Sequence, residues 1–219
     1  KVEERLDGGG RFSWKSYLAD MKEGLHYFKR EKGLQRIYAY MPLAQGVSEG
    51  STSLVIAYFQ TTPGLGTALY AWFTVAEFIG RTVGGLVHYH FEIKAERRFS
   101  FAYMVYQVYN LMDSILLWLG YPLMLANRAA CGFLGINSAT LRESSVQNYL
   151  PDDKRAKLNG FFNAIMSLTV MACCTVIGAL GEALDYRVCI SIVAAVQMIL
   201  CHGIIFQGRK HVKKIYNQK

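Results

Sequence analysis

The chain contains six apolar stretches, each long enough to cross a bilayer as a helix and separated from the next by a short polar segment. A hydrocarbon core of about 30 Å needs roughly 20 helical residues. Helices are the default spanning element, because a chain in lipid must satisfy its own backbone hydrogen bonds. The sequence therefore predicts an all-α membrane protein built as a six-transmembrane-helix bundle, with spans at Leu34–Gln60, Leu65–His90, Phe101–Trp118, Pro122–Gln147, Leu158–Leu180 and Val188–Phe206.

These spans divide the chain into three regions. Residues 1–33 combine a linker with an amphipathic helix on the cytoplasmic membrane face, because apolar residues recur at three- and four-residue steps from Phe12 to Phe28. Residues 34–208 form the six-helix transmembrane region, and residues 209–219 form a basic cytoplasmic tail expected to lie against anionic headgroups. Since the connections between spans are short, we expect sequential helices to pack as neighbours.

Basic residues set the orientation of the predicted bundle. Of the 24 Lys and Arg residues, 20 lie at or beyond the span ends of one side, whereas the connections of the opposite side hold Arg187 alone. By the positive-inside rule both termini are cytoplasmic, in an integral, multi-pass protein of the cytoplasmic or plasma membrane. The net charge of +8 then follows mostly from topology, and no nucleic-acid partner is implied.

Common catalytic and metal-binding signatures are missing from the sequence. The five cysteines lie in or beside apolar spans without a C-x-x-C pair, which is typical of small apolar packing residues. His88 and His90 alternate with Tyr89 and would point to different sides of a helix, which favours interfacial anchoring over metal binding. With no nucleophile elbow, P-loop or dinucleotide fingerprint either, the sequence predicts a protein that is not an enzyme and uses no cofactor or metal.

Ionisable residues inside the predicted spans are the most informative feature. A charge at the bilayer centre costs about 2.5 to 3.5 kcal/mol, so each needs a cavity, a partner or a function. Seven residues qualify: Glu49, Glu77, Arg81, Asp113, Arg128, Arg142 and Glu143.

Several of these charges allow two interpretations. Glu77 and Arg81 are four residues apart and can pair on one helix face, as a neutralised structural pair or as a substrate or proton site. Glu49, in a Gly-rich stretch, either faces a cavity or is solvated in the outer third of the membrane. Arg128 lies six residues into its span and either snorkels to the surface or binds an anion or substrate.

The remaining charges differ in their surroundings. Asp113 is the most isolated charge, in the middle of the third span. Arg142 and Glu143 approach the cytoplasmic interface, where gating or anchoring salt bridges are expected. The pattern Gly80-x-x-x-Gly84 beside the Glu77–Arg81 pair permits close contact with another helix.

The run from Gly135 to Leu184 resembles the tenth and eleventh helices of the major facilitator superfamily, and the lead-in Asp20–Leu34 is similar to the segment joining the two halves, particularly in the drug and macrolide efflux branch. The matching residues are Asn137, Gln147, Pro151, Arg155, Gly160, Gly178, Gly181 and Asp185. That family has twelve helices in two halves of six, so residues 13–208 resemble the C-terminal half. Because the chain starts at Lys1 without an initiator Met, we expect residue 1 to be a cut in a longer protein with an upstream N-terminal half.

The resemblance implies where a site would lie. In such transporters the first, second, fourth and fifth helices of each half surround the central cavity. On those helices the substrate- or proton-binding candidates are Glu49, Glu77, Arg81, Asn127, Arg128 and Asn163. Asp113 falls on a peripheral helix, in an interhelical hydrogen bond or at a lipid-facing portal. Gating or structural candidates are Asp113, Asn137, Arg142, Glu143, Gln147, Arg97, Arg98 and Arg155.

The chain also departs from the family pattern. The loop after the second helix of a half often reads G-x-x-x-D-R-x-G-R-R; here Gly85, Arg97 and Arg98 match, but the Asp is missing. Arg155 is followed by Ala156 instead of the common Gly.

The leading hypothesis is a secondary active transporter that moves a small solute or drug by alternating access, with proton-coupled efflux through a carboxylate such as Glu77 or Glu49. Two alternatives stay open: a membrane regulatory or interaction protein that retained the fold without transport, which the missing loop Asp favours, and a half-size transporter acting as a homodimer. The implied partners are the lipid bilayer, a small-molecule substrate, protons, and either the upstream half or a second copy of this chain.

Overall fold

The computed structural model describes residues 26–91 and 93–218. The linker and most of the amphipathic helix predicted for residues 1–33 lie outside the described residues. Within the described ranges the chain is helical and has no strand, so the prediction of an all-α fold is confirmed.

The fold is made of α1 Lys32–Thr61, α2 Thr67–His90, α3 Arg98–Ile115, α4 Tyr121–Tyr149, α5 Asp152–Ala183, α6 Tyr186–Cys201 and α7 Arg209–Tyr216. Residues 26–30, before α1, are also helical. A π-helical segment, His202–Phe206, continues α6, and short 3-10 turns flank α3. The helices α1 to α6 alternate in direction. We call the end where α1 begins and α7 lies the tail end.

Local chemistry explains several helix boundaries. Gly64, with a φ of +82°, makes the turn between α1 and α2 that other residues would adopt only with strain. Pro122 sits in the first turn of α4, where its missing N–H costs no hydrogen bond. The carboxylate of Asp185 accepts a hydrogen bond from the Arg187 backbone N–H at 2.9 Å and caps α6. The helix α5 begins at Asp152 instead of the expected Leu158, so part of the predicted loop is its first turn.

The helices pack mainly with partners that are distant in sequence. The most extensive pairs are α2 with α4, α1 with α5 and α3 with α6, whereas α1 touches α2, and α5 touches α6, only sparsely. The expectation that sequential helices pack as neighbours is therefore wrong for most pairs, with α3–α4 the exception. A short connection fixes only where two helix ends lie, and the side chains along the helices decide which faces meet.

Glycine residues allow the close approach of the two most extensively packed helix pairs, α2 with α4 and α1 with α5. A Cβ atom on Gly80 would overlap the backbone carbonyl of Ala129 in α4, and one on Gly84 would lie 2.6 Å from the carbonyl oxygen of Phe133. Between α1 and α5, a Cβ atom on Gly46 would lie 2.7 Å from Cys173. The close contact expected from the Gly80–Gly84 spacing is present, with α4 as the partner.

The basic tail differs from its expected form. Its residues form α7, whose Val212, Ile215 and Tyr216 are buried in a core cluster with α1, α3 and α4. The carboxamide of Asn217 accepts a hydrogen bond from the backbone N–H of Phe99 at 3.1 Å. The tail is thus docked into the bundle by its apolar side, while its Lys and Arg side chains remain exposed.

Within the part of the chain that the structure describes, two helices are long and apolar enough to cross a membrane by length and composition, Lys154–Ala183 and Tyr186–Phe206. In the most apolar 18-residue window of the first, only 6% is buried. These helices indicate membrane association. The other predicted spans carry more polar and charged residues, and their passage through a membrane stays a prediction.

Replacing Gly80 by Ala is expected to destabilise the bundle by about 1–3 kcal/mol, because the added methyl group meets rigid backbone of α4. Gly85 is the matched control, since no atom lies within 4 Å of its Cβ position. We expect Gly85→Ala to be neutral or up to about 1 kcal/mol stabilising. Thermal unfolding in detergent measures both, and equal effects at the two positions would contradict the packing assigned to α2 and α4.

Candidate functional site

A cavity of about 940 Å³ lies between the helices and is lined mainly by α1 to α5. Its wall includes seven charged residues, Glu49, Glu77, Arg81, Asp113, Arg128, Arg142 and Glu143, which come from four helices. These are the same seven ionisable residues that the sequence placed inside the predicted spans. The tertiary structure brings all of them to one space.

The centre of this wall is an ion-pair network, which we call the Arg128 network. The Nε atom of Arg128 donates to Glu77 Oε2 at 2.7 Å, and its Nη1 atom donates to Asp113 Oδ1 at 3.4 Å. Arg81 donates to Glu77 Oε1 at 2.6 Å through Nη2. The guanidinium of Arg128 also lies 5.4 Å from the ring centre of Phe73, a cation–π distance.

The side chains at the centre of the Arg128 network are mostly buried, so each charge needs its partner. The side chains of Arg128, Glu77 and Asp113 are 12%, 15% and 18% exposed, whereas Arg81 is 57% exposed. A half-buried charge that loses its partner keeps its desolvation cost without compensation. Glu77 therefore holds Arg128 with one oxygen and Arg81 with the other, and the four charges balance.

Helix packing explains how the network forms. The backbone carbonyl of Glu77 faces Gly132 of α4 so closely that a Cβ atom there would overlap it. This close approach brings Glu77 within reach of Arg128, one turn earlier in α4. Asp113 precedes Gly120 by about as many residues as Arg128 follows it, so the α3–α4 hairpin places both at one depth.

Two expectations are corrected here. Asp113 is neither isolated nor peripheral, because α3, the third helix, lines the cavity with it and with Tyr106 and Tyr109. The interhelical bond proposed for Asp113 is present, with Arg128 as its partner. Arg128 does not snorkel to the surface, because the nearby carboxylates Glu77 and Asp113 hold its side chain in the bundle.

Glu49 lies on the cavity wall in a different electrostatic setting. Its Oε1 atom accepts a hydrogen bond from Gln45 Nε2 at 2.8 Å, and the residue is exposed. Among the described residues, Glu49 has no Lys or Arg within ion-pair distance, whereas Glu77, Asp113 and Glu143 each have an Arg. Asn163 of α5 also lines the cavity and is exposed.

A second polar group lines the cavity toward the tail end. Arg142 Nη2 lies 3.5 Å from Glu143 Oε1, and the Glu143 side chain is 72% exposed. The carboxamides of Gln147 and Asn159 exchange two hydrogen bonds of 3.2 Å, which join α4 to α5. These contacts lie where the sequence predicted gating or anchoring interactions.

Asn127 and Asn137 connect helices outside the cavity. Asn127 was expected on the cavity wall, but it is buried between α3 and α4, where Nδ2 donates to the Met112 carbonyl at 3.1 Å. Consecutive residues of a helix lie about 100° apart around its axis, and here Arg128 lines the cavity while Asn127 is turned toward α3. Asn137 Nδ2 donates to the carbonyls of Gly84 at 3.1 Å and Phe133 at 2.7 Å, which ties α2 to α4.

The remaining arginine candidates lie near loops of the tail end. Arg98 Nη1 donates to the Gln218 carbonyl at 3.0 Å. Arg155 Nη2 lies 2.7 Å from Asp152 Oδ1 within the first turn of α5. Arg97 is exposed. None of these arginines lines the cavity described here.

Several polar residues of the site were missed by the sequence analysis: Gln45, Tyr106, Tyr109, Asn159 and Tyr216. A signal existed for Gln45, which precedes Glu49 by one helical turn. Tyr216 also had one, because Val212, Ile215 and Tyr216 have the spacing of a buried helix face. Asn159 had no local signal, because its partner Gln147 lies on another helix.

Within residues 26–91 and 93–218, no three His, Cys, Asp or Glu side chains are grouped as a metal site requires. The cavity is instead a polar space with paired charges and aromatic walls, suited to holding a small polar or amphiphilic molecule. Comparison with protein-family models, curated proteins and solved structures returned no significant match.

Replacing Glu77 by Gln is expected to lower the free energy of unfolding by about 1.5–3 kcal/mol, because two guanidinium groups lose their shared carboxylate. Glu143→Gln is the matched control. Its pair with Arg142 is long and exposed, so we expect a change within about 0.5 kcal/mol. Thermal unfolding of both variants in one detergent tests this difference, and a Glu77→Gln variant as stable as Glu143→Gln would show that the Arg128 network contributes little.

Proposed function

We propose that this chain is the C-terminal six-helix half of a secondary transporter of the major facilitator type, which moves a small solute or drug by alternating access. The observation that carries the proposal is the cavity. Seven charged side chains of mostly apolar helices converge on one space of about 940 Å³. A protein that only needed to fold in a membrane would gain nothing from placing so many charges within its spans.

The outer surface supports six membrane spans. On α2, Phe78 is 69% exposed and Ile79 is 55% exposed, and α5 leaves nearly all of its most apolar window uncovered. Contiguous apolar surface of this extent marks contact with lipid or protein. The seven charged residues come from α1 to α4, the helices that length and composition do not mark as spans, whereas α5 and α6 contribute none. The seven charges line the cavity, and this arrangement fits a bundle surrounded by lipid.

The exposed apolar side chains of α2 and α5 also support the presence of a second six-helix half of the transporter. The cavity is lined by α1 to α5. Two of these helices, α2 and α5, expose apolar side chains on their outer faces along much of their length. We propose that the upstream six-helix half packs there, with a second copy of this chain as the alternative. Six further spans encoded before Lys1 would favour the first arrangement over the homodimer.

Proton coupling is assigned to an intramembrane carboxylate, Glu49 or Glu77. The contacts favour Glu49, because Glu77 is shared by two arginines and a proton on it would break both pairs. Glu49 has only the uncharged Gln45 as its hydrogen-bond partner in the described part of the chain. Its proton can therefore be exchanged without dismantling the Arg128 network.

The second candidate function is a membrane interaction protein that retained the fold without transport. The specific observation in its favour is the loop after α2, which lacks the Asp of the family pattern. Substrate-dependent flux through the complete protein in vesicles would exclude it.

The proton role is tested with Glu49→Gln and Glu77→Gln in the complete protein reconstituted into vesicles with an imposed pH gradient. We expect Glu49→Gln to reduce gradient-driven flux of a panel of small drugs by at least about tenfold, while leaving thermal stability unchanged. Gln45→Leu, which removes the partner and keeps the carboxylate, should retain gradient-driven flux. Gradient-driven flux that persists in both Gln variants would show that neither carboxylate carries the proton.

A further inference from the structure

The tail helix α7 is fastened to the bundle at several points. Val212, Ile215 and Tyr216 are buried, and the backbone of Gly33 in α1 lies so close to α7 that a Cβ atom there would lie 2.7 Å from the His211 carbonyl oxygen. Asn217 accepts from the Phe99 N–H and donates to the Glu96 carbonyl at 3.0 Å. A helix held in this way has a fixed position relative to α1 and α3.

One side chain of α7 reaches the cavity wall. The Tyr216 hydroxyl lies 2.8 Å from the hydroxyl of Tyr106, which lines the cavity. The guanidinium of Arg142, also on the wall, lies close to the hydroxyl groups of Tyr106 and Tyr216. Burial raises the pKa of Tyr216 well above its ordinary value, so its hydroxyl stays neutral and remains available for the hydrogen bond.

The ion pair of Arg142 is a weak restraint on its orientation. Its ion pair with Glu143 has an N–O distance of 3.5 Å, and the carboxylate is mostly exposed. Pairs of this kind contribute little, because solvent screens them and the side chains remain free to move. The Tyr106–Tyr216 hydrogen bond is shorter, at 2.8 Å, and the Tyr216 side chain is buried.

We propose that Tyr216 is a positioning residue of the cytoplasmic gate, which holds Arg142 across the cytoplasmic end of the cavity through Tyr106. The role as a gate rests on the proposed transport function, whereas the Tyr106–Tyr216 hydrogen bond is observed independently of it. The tail that the sequence describes as a basic segment at the membrane surface then has a second role. Opening the cavity toward the cytoplasm requires that the Tyr106–Tyr216 hydrogen bond break or that α7 move together with α3.

Access to the cavity from the cytoplasmic side tests this proposal without any transport measurement. The complete protein, with its native cysteines replaced, including the five of this chain, carries a single reporter, Ala139→Cys, on the cavity wall one turn from Arg142. Inside-out vesicles are labelled with a membrane-impermeant maleimide. We expect Tyr216→Phe to raise the labelling rate about two- to tenfold, which corresponds to the loss of one hydrogen bond.

Three controls separate positioning from general loosening. Tyr149→Phe removes another tyrosine hydroxyl at the tail end, bonded to Glu31 and away from the cavity wall, and should leave the rate unchanged. A reporter at Thr74→Cys, toward the opposite end of the cavity, should be insensitive to Tyr216→Phe. Tyr106→Phe should raise the rate at least as much as Tyr216→Phe, and Tyr216→Phe added to Tyr106→Phe should have no further effect, because the Tyr106–Tyr216 bond is already absent.

Unchanged labelling at Ala139→Cys in both Tyr216→Phe and Tyr106→Phe would overturn the proposal. A rise that Tyr149→Phe reproduces would also overturn it, because it would report loosening of the whole tail end. If one variant does not accumulate, the other still removes the hydrogen bond and decides the outcome. Increased labelling in a protein without solute flux would keep the positioning role and reject the transport function.

Discussion

Gly80 and Gly132 let the backbones of α2 and α4 meet, and the charges of the cavity are arranged around that contact. Only at this separation does Glu77 reach Arg128 at 2.7 Å. Removing a guanidinium from water is costly, and an opposite charge compensates for the cost only at hydrogen-bonding distance and with good geometry. The polar site and the tight helix pair therefore depend on each other.

The same arrangement explains the uneven hydropathy of the helices. Seven charged residues of α1 to α4 line the cavity, and residues such as Phe78 and Ile79 of α2 turn outward. A helix built in this way has a moderate average hydropathy although its outer face is as apolar as a lipid-facing surface. The helices α5 and α6 contribute no charged residue to the cavity, so their composition alone marks them as possible spans.

The tail helix α7 has a basic face and an apolar face, and the two faces have different surroundings. Its basic residues agree with a position at a membrane surface, and α7 keeps them exposed. Its apolar residues face the other way and complete the core at the tail end, where Tyr216 meets Tyr106. An amphipathic segment can thus present charge outward and hold part of a cavity wall inward.

The sequence by itself determined the helical fold, the approximate helix positions and the set of charged residues that line the cavity. Apolar runs and turn residues are local signals, and a charge within an apolar run is conspicuous in isolation. The sequence could not predict which of these charges form ion pairs with each other. Glu77 and Arg128 are distant in the chain and meet only because α2 packs on α4. The tertiary structure alone decided that Asp113 has a partner, that Asn127 faces away from the cavity and that no arginine among the described residues lies within ion-pair distance of Glu49, because these outcomes depend on which helix faces meet.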